Sequence, residues 1–125
     1  MKILRLISLA ISVLFIISST TLVAKDNNSI TIKKSVFKPG ETIQVSFTTN
    51  PGLKANAWIG IIPSEVKHGK EEENDKYDIA YQYLSGKTKG KLKFKAPAKK
   101  GKYDLRMNDT DDKGKEIFSV SFTVK

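Results

Sequence analysis

Ala57-Trp58-Ile59-Gly60-Ile61-Ile62-Pro63 is the stretch that decides the fold of this chain. Trp58, Gly60 and Ile62 point to one side of an extended backbone, and the alternate residues, also apolar, point to the other. A strand that is apolar on both faces is typical of the interior of a β-structure. Pro63 ends the stretch, because proline cannot continue the hydrogen-bond ladder of a central strand. The sequence therefore predicts a buried central strand over residues 56–62.

The segments on either side alternate between apolar and polar residues, which indicates strands with one buried face. Strands are predicted at residues 30–37, 42–48, 56–62, 77–84, 91–95, 102–107 and 118–124. Turn residues such as Pro39-Gly40 and Ser85-Gly86 separate them, and residues 63–76 are predicted to be the longest loop. These features predict an all-β, two-sheet antiparallel sandwich of about seven strands, with Trp58 at its centre and no helix.

Three motifs carry a family resemblance: Trp58-Ile59-Gly60-Ile61-x-Pro63, Tyr81-x-Tyr83-Leu84 and Gly101-x-Tyr103-x-Leu105-Arg106. Their layout resembles small immunoglobulin-like modules of bacterial exported proteins, and it is similar to the SKICH-type sandwich of eukaryotic adaptor and phosphoinositide-phosphatase proteins. The resemblance covers residues 35–124. It implies an immunoglobulin-like sandwich that serves as a binding or accessory module.

The first 24 residues have the pattern of a cleaved secretory signal peptide. Lys2 and Arg5 precede an apolar run over residues 7–17, which is shorter than the roughly 20 residues of a membrane span, and small residues follow up to Ala24. We therefore expect a signal peptide at residues 1–24 and one domain at residues 25–125, with no membrane span after cleavage. Because the chain contains 0 Cys, export suits a bacterial periplasm, surface or medium better than a disulfide-rich secreted domain.

The charge balance is strongly basic. The full chain has a formal net charge of +9, and the predicted domain keeps +7 after loss of Lys2 and Arg5. Such an excess favours anionic partners, including acidic polysaccharide, lipid head groups and phosphate, and it also serves solubility.

A row of lysines at every second position is the main candidate site. It consists of Lys87, Lys89, Lys91, Lys93 and Lys95. In an extended strand these ammonium groups would lie on one face about 6.6 Å apart, which could match a polyanion. The other interpretation is that the lysines prevent edge-to-edge strand pairing. Nucleic acid is disfavoured, because the row lacks interleaved aromatic residues and the protein is predicted to be exported.

Acidic residues provide a weaker candidate, a calcium site. Asp109, Asp111 and Asp112 precede the last strand, and they could share a cation with the acids of residues 71–75 if the two loops meet. Their spacing does not match an EF-hand, and a hairpin turn with solvated carboxylates explains them without a metal. No other cofactor is predicted.

Catalytic motifs are not found in the sequence. The single histidine, His68, has no cysteine to pair with, and no serine lies in a nucleophile elbow. We therefore predict a protein that is not an enzyme. Tyr103 is predicted to form a tyrosine corner, and Trp58 to fill the core. Arg106 is predicted to point away from the core and to form a surface ion pair with Asp104 or a neighbouring carboxylate, and contact with a ligand is the alternative.

These observations leave three functions open. The first is a non-catalytic module that binds a protein or acidic polysaccharide. Its candidate contacts are the lysine row, the loops at residues 63–76 (with His68) and 108–114, and Lys125. A C-terminal lysine such as Lys125 is a group that kringle-type pockets accept, which suggests a plasminogen-like host protein. The second is an inhibitor or chaperone-like factor whose residues 63–76 insert into a partner. The third is a calcium-stabilised structural module. The sequence does not predict an oligomeric state.

Overall fold

The computed structural model describes residues 26–125, so the predicted signal peptide lies outside the described residues. Within this range the elements are β1 (Ser29–Thr31), β2 (Val36–Phe37), β3 (Thr42–Thr48), β4 (Trp58–Pro63), α1 (Glu71–Tyr77), β5 (Ala80–Tyr83), β6 (Lys89–Lys95), β7 (Gly101–Asn108) and β8 (Glu116–Val124). The predicted all-β sandwich is confirmed, with two packed sheets and one short helix. Over these 100 residues, no helix is long and apolar enough to cross a membrane.

The two sheets are unequal in size. One has three strands in the order β1-β3-β6, and the other has five in the order β2-β8-β7-β4-β5. The predicted first strand divides between them, because β1 pairs with β3 whereas β2 pairs with β8. Polar residues 33–35 separate the two halves. The β2–β8 pair is parallel, so the expectation of a purely antiparallel sandwich is wrong at this one edge.

The core lies between the sheets and follows the period of two. Buried side chains from the three-stranded sheet meet those from the five-stranded sheet, and the main ones are Ile43, Val45, Phe47, Phe94, Ile59, Ile61, Leu105, Met107, Phe122 and Val124. Phe122 contacts two aromatic neighbours, Phe37 edge-on at 5.7 Å between ring centroids and Tyr103 stacked at 5.8 Å. The alternation seen in the sequence therefore produces the core directly.

The prediction that Trp58 lies between the two sheets is wrong. Trp58 is 1% exposed, but it lies on the outer face of β4, because Ile59 and Ile61 occupy the inner face. Its ring passes over Gly60, where a Cβ atom would come within 2.5 Å of the indole Cζ3. The indole Nε1 donates a hydrogen bond to Glu71 Oε2 at 3.1 Å. Glycine at position 60 therefore makes room for the indole on the outside of the sheet.

The predicted loop over residues 63–76 contains the helix α1, which the sequence analysis missed. Three glutamates occupy the first turn and Lys76 the last, an arrangement that complements the helix dipole. The buried residues of α1 are polar, Glu71 and Asn74, so the helix has no apolar period to recognise. The segment covers the outer face of β4 and does not project into solvent as an open loop.

Tyr103 stabilises the turn between β6 and β7, which connects the two sheets. Its hydroxyl donates a 2.6 Å hydrogen bond to the carbonyl oxygen of Lys99, which is the contact expected of a tyrosine corner. The ring is buried among core aromatic residues. The hydrogen bond fixes the turn that leads into β7.

We expect Tyr103→Phe to lower the free energy of unfolding by about 1 kcal/mol, because it removes one buried hydrogen bond and leaves the ring packing intact. Urea denaturation followed by circular dichroism measures the change. Tyr77→Phe, at an exposed side chain, is the matched control and should have no effect. Equal stability of Tyr103→Phe and the wild type would show that the corner does not contribute.

Candidate functional site

The outer face of the three-stranded sheet carries the lysine row. Lys89, Lys91, Lys93 and Lys95 alternate along β6 on this exposed face, whereas Phe94 points into the core. Lys87 belongs to the turn before β6 and therefore stands outside the regular spacing. We call the outer face of β1, β3 and β6 the lysine face.

The neighbouring strands supply this face with hydroxyl and amide groups. Opposite the four lysines, in register, are Thr48, Ser46, Gln44 and Thr42 of β3, and β1 adds Ser29 and Thr31. The strand residues of this face include no carboxylate and no aromatic ring. Lys95 Nζ donates to Thr42 Oγ1 at 3.3 Å. Within residues 26–125 none of the four lysines forms an ion pair with a carboxylate.

A shallow groove of about 240 Å³ crosses the lysine face. Its polar lining includes Thr31, Lys33, Gln44, Ser46, Lys91 and Lys93. Val45 and Leu92 complete the lining, so the groove combines three lysines with hydroxyl and amide groups, which can donate or accept hydrogen bonds, and with two apolar residues. Such a groove can hold an anionic group with hydroxyl neighbours, as in a sugar acid or a sulfated sugar.

The outer face of the five-stranded sheet carries a second polar cluster, centred on Arg106 of β7. Arg106 is 0% exposed, so the prediction of a surface ion pair is wrong, although its predicted partner is right. Its Nε and Nη2 donate to Asp104 Oδ2 at 3.0 and 2.8 Å. Nη1 donates to Asn74 Oδ1 at 2.8 Å, and Nη2 to the Val66 carbonyl at 2.8 Å. The guanidinium therefore ties the segment after β4 to the sheet.

Asp104 is the counter-charge of this cluster. Burial opposes ionisation of its carboxyl, but hydrogen bonds from the Ser64 and Ser121 hydroxyls and from Arg106 outweigh burial and lower its pKa. The carboxylate consequently stays charged beside the guanidinium. In the part of the chain that the structure describes, every buried side-chain nitrogen and oxygen has a hydrogen-bond partner.

His68 lies at the rim of the cluster. Its Nδ1 is 2.6 Å from Glu116 Oε2, and its Nε2 is 3.2 Å from Arg106 Nη2. The Ser64 hydroxyl donates to Asp104 and not to His68, so these two residues do not form a nucleophile–base pair. His68 is a structural contact of the cluster, with about half of its side chain exposed.

The two acidic segments do meet, as the calcium hypothesis required, but of the three predicted aspartates Asp111 is the one that joins the acids of α1. Carboxylate oxygens of Glu71, Asp75 and Asp111 lie within 4.8 Å of one another. Asp109 instead accepts a hydrogen bond from the Lys115 backbone N–H at 2.8 Å, and Asp112 is exposed. Burial raises the pKa of Glu71, with hydrogen bonds from Trp58 and Gly114 opposing the rise and Asp75 and Asp111 adding to it.

The remaining predicted contact, Lys125, has an exposed side chain directly after β8. Its backbone N–H donates to the Phe37 carbonyl at 3.0 Å, so the position is held against β2. It lies apart from the lysine row, which is in the other sheet.

Comparison with known proteins adds no assignment, because no protein-family model matches the chain and no curated protein matches it significantly. The site residues that the sequence missed are the polar outer-face groups around Arg106. Their only sequence signal was polarity at alternate positions of β7, which also fits a solvated strand.

Arg106→Met should lower the free energy of unfolding by about 3–5 kcal/mol, because Asp104 is left as a buried, unpaired charge. Urea denaturation measures the loss. Lys102→Met, at an exposed position of the same strand, is the control and should cost less than about 0.5 kcal/mol. If both variants changed stability equally, the guanidinium would not hold the outer face.

Glu71→Gln should stabilise the protein at pH 7 in the presence of a chelator. The pKa of Glu71 is raised in the folded state above its ordinary value of 4.5. The contribution of Glu71 to folding stability is therefore complete below pH 4.5 and is lost as pH rises through the folded-state pKa. A neutral amide avoids that loss and keeps an acceptor for the Trp58 N–H. The advantage should disappear as pH falls below 4.5.

Thermal melts between pH 4 and 8 measure this difference, with Glu72→Gln, at an exposed neighbour, as the control. A less stable Glu71→Gln protein at pH 7 would contradict the argument. Added Ca²⁺ tests the calcium hypothesis in the same melts, because a bound ion would stabilise the wild type and leave Glu71→Gln unchanged.

Proposed function

We propose that this chain is a non-catalytic, exported binding module of a bacterial surface or periplasm, and that its lysine face binds an acidic polysaccharide. The observation that supports the proposal most is the composition of that face. Its strand residues are lysine, serine, threonine and glutamine only. The predicted signal peptide would deliver the module to the compartment where such polymers occur.

The geometry of the lysine face suits a long anionic chain better than a single ion. Lysines on one side of a strand repeat every 6.6–6.8 Å, so four of them span about 20 Å. A polymer with acidic groups along its length could meet several lysines at once, whereas its hydroxyl groups could bond to the Ser and Thr side chains of β3.

Protection of an edge strand explains less of this surface. Lysines on β6 would discourage pairing with another strand, and a few charges on the edge would be sufficient. The polar groups continue from β6 across the central strand β3 to β1 at the other edge, and residues of all three strands line the groove. An extended binding surface accounts for both the edge and the interior of the sheet.

The distribution of acids favours an anionic partner at this position. The carboxylates of Glu71, Asp75 and Asp111 gather near α1, on the outer side of the other sheet. The lysine face is therefore separated from them by the thickness of the sandwich, and its positive potential is reinforced by the net charge of the chain.

Insertion of residues 63–76 into a partner would have a large structural cost. The segment supplies the Val66 carbonyl and the Asn74 side chain to Arg106. Its departure would expose a guanidinium–carboxylate pair and the indole of Trp58 to solvent. The structure therefore favours the lysine face over this segment as the contact with a partner.

The double variant Lys91→Gln/Lys93→Gln should weaken binding to immobilised dextran sulfate about tenfold. Each exposed charge contact contributes roughly 0.7 kcal/mol, and 1.4 kcal/mol corresponds to a factor of ten. Binding of the wild type should also fall steeply between low and physiological ionic strength.

The matched control is Lys99→Gln/Lys100→Gln, which removes the same charge from exposed positions outside the lysine face. Equal losses in the two double variants would mean that net charge alone drives binding, and the proposed site would be rejected. Polygalacturonate, with carboxylates in place of sulfates, tests whether the face accepts a second acidic polymer.

A further inference from the structure

Four large side chains are exposed at alternate positions beside the edge of the five-stranded sheet. They are Tyr77, Ile79, Tyr81 and Tyr83, each 42–52% exposed, and we call them the aromatic strip. Tyr81 lies opposite Gly60, and Tyr83 opposite Trp58, so both rings are on the outer face. Tyr81 contacts Trp58 and Tyr83 edge-on, with ring centroids 6.1 and 5.4 Å away. An apolar surface of this kind is typical of an interaction site.

β5, the strand that bears Tyr81 and Tyr83, has one open edge. β5 pairs with β4 on one side, and no other strand of residues 26–125 pairs with it. The Leu84 N–H donates to the Ala57 carbonyl, and by the alternation of an antiparallel pair the backbone groups of Gln82, opposite Ile59, also point towards β4. The backbone N–H and C=O groups of Tyr81 and Tyr83, which alternate with them, point to the open side.

β5 is a short strand of 4 residues, but it lacks the charged side chains and proline that protect many exposed edges. Its sequence Ala80-Tyr81-Gln82-Tyr83 has no charge and no proline, whereas β6, an edge of the other sheet, has a lysine at every second position. Unprotected apolar edges pair readily with other strands. Among the hydrogen bonds of residues 26–125, β5 is linked to β6 by Gln82 Nε2, which donates to the Lys93 carbonyl at 2.6 Å. The edge is therefore suited to accept another strand.

Several carboxylates lie near the aromatic strip and favour a cationic partner, and one cation is also present, since Lys76 Nζ lies 5.4 Å from the centroid of the Tyr77 ring. Asp111 accepts a 2.6 Å hydrogen bond from the Tyr83 hydroxyl, and its carboxylate lies near those of Asp75 and Glu71. Asp78 immediately precedes Ile79. Burial, together with the nearby Asp75 and Asp111, raises the pKa of Asp78. Negative charge is thus concentrated here in a chain that is basic as a whole.

We propose that the open edge of β5 binds an extended, lysine- or arginine-bearing peptide segment of a partner protein by strand addition. The peptide backbone bonds to the backbone groups of Tyr81 and Tyr83. Its apolar side chains lie on the aromatic strip, and its cationic side chains reach Asp75, Asp78 and Asp111. This surface is separate from the lysine face, so the proposal does not depend on polysaccharide binding.

A synthetic peptide of alternating lysine and valine is the probe, and fluorescence anisotropy measures its binding to the purified protein. Tyr81→Lys should weaken binding about tenfold or more, because it removes a central ring and adds a cation among cationic side chains. Val36→Lys is the matched control, since Val36 is also exposed but lies in β2, at the other edge of the same sheet. It should bind the peptide as the wild type does.

Two measurements on the wild-type protein keep the test independent of how Tyr81→Lys folds. Bound peptide should slow hydrogen exchange of the Tyr81 and Tyr83 amides. N-methylation of the peptide residues that face β5 should abolish binding, whereas N-methylation of the intervening residues should not. Equal binding of both methylated peptides, or of a peptide of alternating glutamate and valine, would overturn the proposal.

The same measurements distinguish a cationic peptide from other molecules that could bind the open edge of β5. Protection of the same two amides in the protein alone, rising with its concentration, would assign the edge to a second copy and overturn the proposal. Binding of cellohexaose in competition with the peptide, without amide protection, would overturn it in favour of a carbohydrate. Unchanged peptide binding by Lys91→Gln/Lys93→Gln would support separate surfaces, whatever the outcome with dextran sulfate.

Discussion

The buried guanidinium of Arg106 determines how the outer face of the five-stranded sheet is covered. A cation that is 0% exposed costs several kcal/mol unless a carboxylate and further acceptors surround it. Asp104 supplies the charge from the same strand, and the remaining acceptors include the Val66 carbonyl and the Asn74 amide of the covering segment. Residues 63–77 are consequently held in place by polar bonds, with Trp58 and Glu71 as a second anchor.

This covering segment leaves two regions of the sandwich for contacts with other molecules. One is the lysine face, where the three-stranded sheet has no covering layer among the described residues. The other is the edge of β5, which emerges just after α1 with its tyrosines exposed. Within residues 26–125, the buried side-chain donors and acceptors of the polar cluster around Arg106 all have hydrogen-bond partners.

The sequence predicted those parts of the fold in which one face of a strand is apolar and the other is polar. Alternation placed Ile43 and Phe94 in the core and the lysines of β6 outside it. It failed at Trp58, because β4 is apolar on both faces and periodicity cannot tell which face meets the other sheet. It failed at Arg106 and α1 because the second buried layer is polar, and buried polar residues have the same pattern as solvated ones. Asp111 was identified as a partner of the distant acids, whereas Asp109 is committed to a backbone hydrogen bond.

The two proposed surfaces select partners of opposite charge, and their arrangement explains why they need not compete. The edges of β5 and β6 are linked through Gln82 and the Lys93 carbonyl. The lysine side chains, however, lie on the outer face of the three-stranded sheet, whereas Tyr81 and Tyr83 lie on the outer face of the five-stranded sheet. A cationic segment is repelled by β6 and attracted by Asp75, Asp78 and Asp111, which favours pairing at β5 over pairing at β6. An acidic polymer is repelled by these carboxylates and attracted by the lysines, which directs it to the lysine face. Charge separation across one small sandwich can therefore keep two ligands on their own surfaces.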